Sequence, residues 1–319
     1  MKNLEFYYSV GALLYCPANN KTVADSIINE RFGKNFSLAL CLEDTINDNS
    51  VKEAEEILKD TISKIYVERQ NKNFFLPKIF IRVRNAEQIN RLYNTLDKFS
   101  EIIVGFILPK FSISNADIYI DTICKINSKR KTPFYIMPIL ESPDIVNLKN
   151  RANILYALKE KLDKIEDIVL NIRVGGNDLC HIFGFRRKSN ETIYEIGTIA
   201  NIFSDIVTVF GIDYVISAPV WEYYNGENWQ EGLEREIKFD KLFGFTGKTV
   251  IHPNQIEVLN NCYKVSKKDY DDALSILNWN TNSNSLVSGS TSKERMNEYK
   301  THYNWAQKIV LLSKVFGTF

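Results

Sequence analysis

PFYIMPILESPDI, residues 133–145, sets a long apolar run directly against a charge. From Phe134 to Leu140 the side chains are aromatic, β-branched or aliphatic, and prolines bound the stretch, so it reads as a strand buried on both faces. Strands of that kind belong to parallel sheets covered on each side by helices. The run ends on Glu141. Burying an ionised carboxylate at that point is costly unless a positive charge meets it, and the rest of the chain must supply that charge or hold it.

Comparable apolar runs recur at 12–16, 38–42, 79–83, 102–108, 168–174, 214–217 and 249–251, which with 134–140 makes eight candidate strands. Between the second and third, SVKEAEEILKDTISKIYVERQ places Val51, Ala54, Ile57, Leu58, Ile62 and Ile65 on one helical face, with acids early and bases late. AEQINRLYNTLDKF and PDIVNLKNRANILYALKEKL repeat the pattern, the latter with Pro143 in position for a first helical turn. Eight strand–helix units in 319 residues define an α/β fold, a (β/α)8 barrel rather than an open sheet. Residues 1–264 are assigned to the barrel and 265–319 to a C-terminal helical appendage, acting as a lid or an oligomerisation arm. Within the appendage, NWNTNSNSLVSGSTS (278–292) reads as a mobile polar loop. KERMNEYKTHYNWAQKIVLLSKVF recovers helical spacing through Met296, Tyr299, Tyr303, Ala306, Ile309 and Val310.

Forty basic residues stand against 39 acidic ones, so there is no net field to attract nucleic acid or anionic lipid. The opening MKNLEFYYSV lacks the apolar centre of a signal peptide, and no run approaches the ~20 apolar residues of a membrane span. A cytoplasmic protein is expected. Cys16, Cys41, Cys124, Cys180 and Cys262 form no CxxC pair, which argues against a zinc knuckle or a dithiol redox site.

In a barrel of this type the chemistry gathers where the strands' C-terminal ends converge. The second run ends in Glu43 and Asp44, the third carries Arg82 and Arg84, and the fourth ends in Lys110. The fifth ends in Glu141, the sixth runs through Gly175 and Gly176 to Asp178, and the eighth ends in His252. Taken singly, each has a plain explanation as a helix cap or a surface charge. Together they bring charges of both signs to one centre. Glu141 and Asp178 offer hard oxygen ligands with no Cys or suitably spaced His beside them, which favours Mg²⁺ or Mn²⁺ over zinc. Alternation does not tell which of Arg82 and Arg84 points inward, but at least one is expected to bind a carboxylate or a developing enolate. Gly175 and Gly176 permit close backbone approach to a ligand and lack a full nucleotide-binding pattern. His252 serves either to position its loop or to transfer a proton. His181 and His302 read as helical packing or surface residues, and Trp221, Tyr223 and Tyr224 as lining for a mouth or an oligomer contact.

Read in order, these segments resemble the citrate lyase β-subunit-like branch of the HpcH/HpaI aldolase superfamily over roughly residues 10–262. LLYCPANN is similar to that family's LLFVPGNR, ALCLEDTI to DLEDAV, IRVRN to VRVN, ILPK to LPK, ILES to an IET-type strand, and VGGNDLCHIFG to FGAEDLAADLG. GFTGKTVIHPNQI is close to GFDGKWAIHPSQI. The resemblance implies a Mg²⁺-dependent barrel lyase in trimeric or hexameric assemblies, with Glu141 and Asp178 as metal ligands and Arg82 at the substrate. It also implies Arg84, Lys110, Gly175, Gly176 and His252 as further substrate contacts, and Glu43 or Asp44 orienting the arginine or managing protons. The chain departs from the pattern at Cys41, where the family has its first carboxylate, and at Ala18 and Asn20, where a contact for coenzyme A phosphates is missing. It looks like the divergent branch that accompanies tellurite-resistance-type stress genes.

The leading expectation is therefore carbon–carbon bond lysis, or its reverse, on a small carboxylate derived from a 2-oxo acid. A coenzyme A thioester lyase or hydrolase is one alternative, and a non-catalytic barrel that binds a small acid within a larger complex is another.

Overall fold

The computed structural model describes residues 3–319. Helix α1 (Leu4–Tyr8) leads into alternating strands and helices: β1 (Ala12–Pro17), α2 (Val23–Ile28), β2 (Phe36–Cys41), α3 (Val51–Asn71), β3 (Lys78–Arg82), α4 (Ala86–Leu96), β4 (Ile103–Leu108), α5 (Ala116–Asn127) and β5 (Tyr135–Leu140). There follow α6 (Arg151–Asp163), β6 (Ile172–Val174), α7 (Gly176–Phe183), α8 (Gly197–Phe210), β7 (Ile216–Ser217), α9 (Trp229–Leu242), β8 (Lys248–Val250) and α10 (Asn254–Tyr263). The last elements are α11 (Lys267–Leu277), the short strands β9 (Val287–Gly289) and β10 (Met296–Glu298), and α12 (Tyr299–Phe316). The chain divides into two compact units, Val10–Leu259 and a second made of the N-terminal residues with Asn260–Phe319.

The first unit is a TIM barrel. Its strands run in the order β7-β6-β5-β4-β3-β2-β1-β8, all parallel, and an Ala218–Lys248 bridge joins the two ends of the sheet. The apolar runs are what the barrel interior and the helix layer bury: Leu38, Ile79, Ile107, Ile136 and Ile172 are all fully shielded from solvent. On α3, Ala54, Leu58, Ile62 and Ile65 are buried, the face that the helical period marks. Strands β6 and β7 are each at least two residues shorter than their apolar runs. At β6, a 3-10 turn at Glu166–Ile168 delays pairing, so Val169 makes only a single bridge to Ile136. After β5 the chain does not enter a helix at Pro143. It makes a 3-10 turn, Pro143–Val146, and Arg151 at the head of α6 donates back to the carbonyls of Ile145 and Val146, at 2.7 and 3.2 Å.

A buried ionic knot fastens α9 to β8. The ammonium of Lys248, wholly enclosed, lies 2.9 Å from Glu236 and 3.0 Å from Asp240, and the Arg187 guanidinium meets Glu236 from the other side at 3.0 Å. The Tyr194 hydroxyl donates to Asp240 at 2.5 Å. Two cations thus face two carboxylates, which is what makes their burial tolerable. Lys248 belongs to the GFTGKTVIHPNQI segment, whose similarity to the lyase pattern therefore includes a structural anchor.

In the second unit α11 and α12 pack through Ala273, Ile276 and Ala306, with Trp305, Ile309 and Val310 around them. The polar stretch 278–292 departs from the expectation of a loop without secondary structure. Val287–Gly289 pairs antiparallel with Met296–Glu298, and Arg295 holds the hairpin through Asp269 and Asp272, at 2.7 Å each. Met296 is accordingly in a strand, and α12 begins only at Tyr299. Backbone pairing needs no apolar side chains, so a Ser- and Asn-rich segment forms it where an ion pair fixes the register. Among the described residues no helix is long and apolar enough to cross a membrane.

Replacing Lys248 by Met should leave Asp240 buried without its cation and lower the stability of the fold by about 3–5 kcal/mol, read as a shift of the urea unfolding midpoint. An unchanged midpoint would show that the knot is dispensable.

Candidate active site

Arg82 closes β3 and turns into the barrel mouth, only 8% exposed. Its Nη2 lies 2.6 Å from Glu43, 3.0 Å from Asp44 and 3.4 Å from Glu141, so one end of one guanidinium faces three carboxylates drawn from two other strand ends. Lys110, just past β4, adds a second cation. Its Nζ is 2.6 Å from Glu43 and 3.1 Å from Asp44. Its backbone is held at φ 47°, a left-handed conformation unusual for a residue with a side chain. That turn aims its amide N–H at Glu141, which accepts at 3.0 Å.

Glu141 is 3% exposed. Gly175, after β6, presses against it: a Cβ at that position would lie 2.0 Å from the carboxylate oxygen, so no residue with a side chain fits there without displacing Glu141. Burial drives the Glu141 carboxyl up to about 8, with the charges of Asp178 and Glu43 adding to the effect and Arg82 and the Lys110 amide opposing it. Burial likewise raises Glu43. For Asp44 burial is outweighed by the hydrogen bond to Glu43 and by Arg82 and Lys110, and its carboxyl is lowered. Against the cost of burial, Arg82 is held above its ordinary value by Tyr15, Glu141 and Glu43, and Lys110 by Glu43 and Asp44.

Glu141, Asp178, Asp44 and Arg82 line one cavity of about 440 Å³, which Gly175 and Gly176 also border. Glu43, Asp44 and Glu141 face the cations Arg82 and Lys110, and Asp178, Glu222, Arg173 and Arg186 border the same space. The donor set is all oxygen, and the proton that Glu141 retains is what a buried carboxyl takes up when no metal neutralises it. The residues therefore fit Mg²⁺. Among the described residues no group of three or more His, Cys, Asp or Glu side chains is arranged around a common metal position.

Two other expected residues lie apart from this cluster. Arg84 shares the parity of Arg82, but the strand has ended, and its guanidinium reaches the carbonyls of Leu42, Glu43 and Ile46 and the carboxylate of Asp48, bracing the loop after β2. His252 stacks on Tyr224, ring centres 4.7 Å apart, and its Nδ1 accepts from the Asn254 amide. Conversely, Tyr15 on β1, Arg173 on β6 and Thr249 on β8 line the cavity without having been singled out. The signal for Arg173 was present in NIRVGG: an arginine inside a short apolar strand raises the same question as Glu141.

A parallel barrel whose strand ends converge on a carboxylate cluster, an arginine and a lysine has the position and the residue types of a small-molecule site. The chain belongs to the family C-C_Bond_Lyase, carbon–carbon bond lyases of the TIM-barrel fold, which it matches over residues 5–318. A 54-residue stretch is 39% identical to the citrate lyase subunit beta of Haemophilus influenzae, covering 17% of this chain and 19% of that protein. The fold is similar to that of the protein CitE from Mycobacterium tuberculosis in complex with magnesium, acetoacetate and coenzyme A, with a TM-score of 0.63, 16% identity, and 97% and 99% of the two chains covered. It is also similar to the citrate lyase beta subunit complexed with oxaloacetate and magnesium from the same organism, with a TM-score of 0.53, 17% identity, and 81% and 98% covered. RipC from Yersinia pestis gives a TM-score of 0.54 at 15% identity, with 80% and 95% covered.

The raised Glu141 carboxyl has a measurable sign. Between its ordinary value of 4.5 and its folded value of about 8, the native protein holds a proton that the unfolded chain releases, so stability falls as pH rises through that window. In metal-free buffer the melting temperature should drop from pH 6 to pH 8, and Glu141→Gln, which does not titrate, should remove most of that drop. Parallel profiles for the two proteins would contradict the assignment.

Proposed function

We propose that the protein is a Mg²⁺-dependent lyase that cleaves or forms a carbon–carbon bond next to the carbonyl of a small 2-oxo acid. The observation that carries this reading is the enclosed Glu141 carboxylate, pressed by Gly175 and sharing one cavity with Asp178 and Arg82. Glu141 and Asp178 would hold the metal. When bound, Mg²⁺ supplies Lewis acidity toward the carboxylate and adjacent oxygen of the substrate. Oxaloacetate and acetoacetate, found with magnesium in the similar structures, are compounds of the size and type that such a centre accommodates.

Arg82 orients the substrate oxygen and stabilises negative charge that grows there as the bond breaks. Its guanidinium is fixed by Glu43 and Asp44, so its donors need no rearrangement during the reaction, the condition under which electrostatic stabilisation is largest. Glu43 and Asp44 hold a shared set of hydrogen bonds with Lys110, one carboxyl raised and its neighbour lowered. A pair of acids whose affinities for protons are driven apart is suited to delivering a proton from one and stabilising charge with the other. We assign the proton relay to this pair, with Lys110 keeping it in place.

The test is Mg²⁺-dependent release of pyruvate from a 4-hydroxy-2-oxo acid, followed by NMR. Glu141→Ala and Asp178→Ala should abolish both turnover and stabilisation by Mg²⁺ with pyruvate. Arg82→Lys, which keeps charge but loses the planar fork, should slow turnover by ~10²–10³. Equal thermal stabilisation by Mg²⁺ in the wild type and both alanine variants would defeat the proposal.

A further inference from the structure

The resemblance places Arg84 at the substrate, whereas the structure turns its guanidinium into the loop 42–48 that follows β2. That loop carries Glu43 and Asp44. Nη1 donates toward the carbonyls of Leu42, Glu43 and Ile46, at 3.3, 3.4 and 3.2 Å, and Nη2 meets the Asp48 carboxylate. One of the three carbonyls belongs to Glu43 itself. The Asp48 side chain is 83% exposed, so the ion pair adds little in water, and the carbonyls are the substance of the contact. The Leu42 amide still bonds to the Arg82 carbonyl at 2.9 Å, as a continuation of the strand pairing. Past it the backbone bonds are internal to the turn, Ile46 to Glu43 and Ser50 to Asn47. Arg84 therefore ties the loop to the body of the barrel.

Arg84 is itself fixed from three helices. Its backbone N–H donates to Gln88 of α4 at 2.7 Å, and the Gln88 side chain, wholly buried, donates in turn to Glu55 of α3 at 2.7 Å. Its carbonyl accepts from the Tyr119 hydroxyl of α5 at 3.4 Å. The side chain carries this fixed position to the loop. A planar guanidinium can gather several carbonyls at once, which an ammonium cannot do in the same geometry, and an apolar chain would leave them without a donor. The chemistry gives the arrangement a use. Glu43 and Asp44 hold Arg82 at 2.6 and 3.0 Å and Lys110 at 2.6 and 3.1 Å. Proton transfer and a preorganised guanidinium both fail when such groups drift by a fraction of their contact distance.

We infer that Arg84 is a positioning residue for the reaction, setting Glu43 and Asp44 in place from the helix layer without touching the substrate. The inference rests on the lyase reading above and extends its machinery one layer outward.

The test is a double-mutant cycle of Arg84→Met and Glu43→Gln, read as Mg²⁺-dependent pyruvate release, with amide hydrogen exchange as a readout that needs no turnover. Arg84→Met should lower kcat by about 10- to 100-fold. KM, and stabilisation by Mg²⁺ with pyruvate, should stay within about twofold of the wild type, because Glu141 and Asp178 come from other strands. Arg84→Lys should recover part of the lost rate. Since Arg84 acts through Glu43, the double variant should be no slower than Glu43→Gln alone. In Arg84→Met the amides of residues 42–48 should exchange at least about tenfold faster, while those of β3 and α4 keep their wild-type rates. Full additivity in the cycle, a KM that rises as kcat falls, or unchanged exchange in the loop would overturn the inference. Absence of pyruvate release by the wild type would instead remove the lyase reading, and exchange in the loop would still decide whether Arg84 sets the two acids in place.

Discussion

The contact between Arg82 and Glu141 joins strands β3 and β5 across the mouth of the barrel, and most of the site's geometry is fixed by it. A carboxylate this enclosed has few ways to exist: it can take a proton, meet a guanidinium, accept backbone N–H groups or bind a metal. Glu141 has the guanidinium at 3.4 Å and the Lys110 amide at 3.0 Å, and without a metal its proton remains to pH values near 8. Each of these partners is itself held by another strand end. Arg82 is held by Glu43 and Asp44, and these in turn by Lys110. The network closes on itself, so positions set by barrel closure are locked by charge.

The two ionic clusters of the barrel illustrate how the same residue types serve different ends. Around Lys248 the charges balance, two against two, and that arrangement holds α9 to its strand. At the mouth Asp44, Arg82, Glu141 and Asp178 open onto one cavity of about 440 Å³, and the convergence of several charged groups on one cavity marks a site for a ligand.

Much of this was legible in the sequence. The eight apolar runs predicted the strands to within a few residues, because strands buried on both faces leave a continuous apolar signature. The cost of burial asks for a cation at Glu141, which the sequence reading supplies as a divalent ion, and the structure sets the Arg82 guanidinium 3.4 Å from it. The ambiguity between Arg82 and Arg84 could not be removed by alternation, since both share one parity; the chain bends after Val83 and sends Arg84 to the loop after β2. Arg173 leaves no mark at a strand end, because it sits within β6, between Ile172 and Val174. The pairing of β9 with β10 left no mark in composition, since it depends on backbone hydrogen bonds and on Arg295 finding two aspartates from another helix.

Lys110 carries two obligations in one residue. Its left-handed backbone places an amide on Glu141, and its side chain places an ammonium on Glu43 and Asp44. Glycine would keep the first and forfeit the second; a β-branched residue would forfeit both. Such a residue leaves evolution little room on its side of the barrel, where a change at any one of the linked strand ends exposes a charge at the others. The restraint reaches β1 and β6 as well, where the Tyr15 ring lies 5.8 Å from the Arg82 guanidinium and Gly175 leaves Glu141 no room to shift, so a change in substrate preference has few open positions at this mouth.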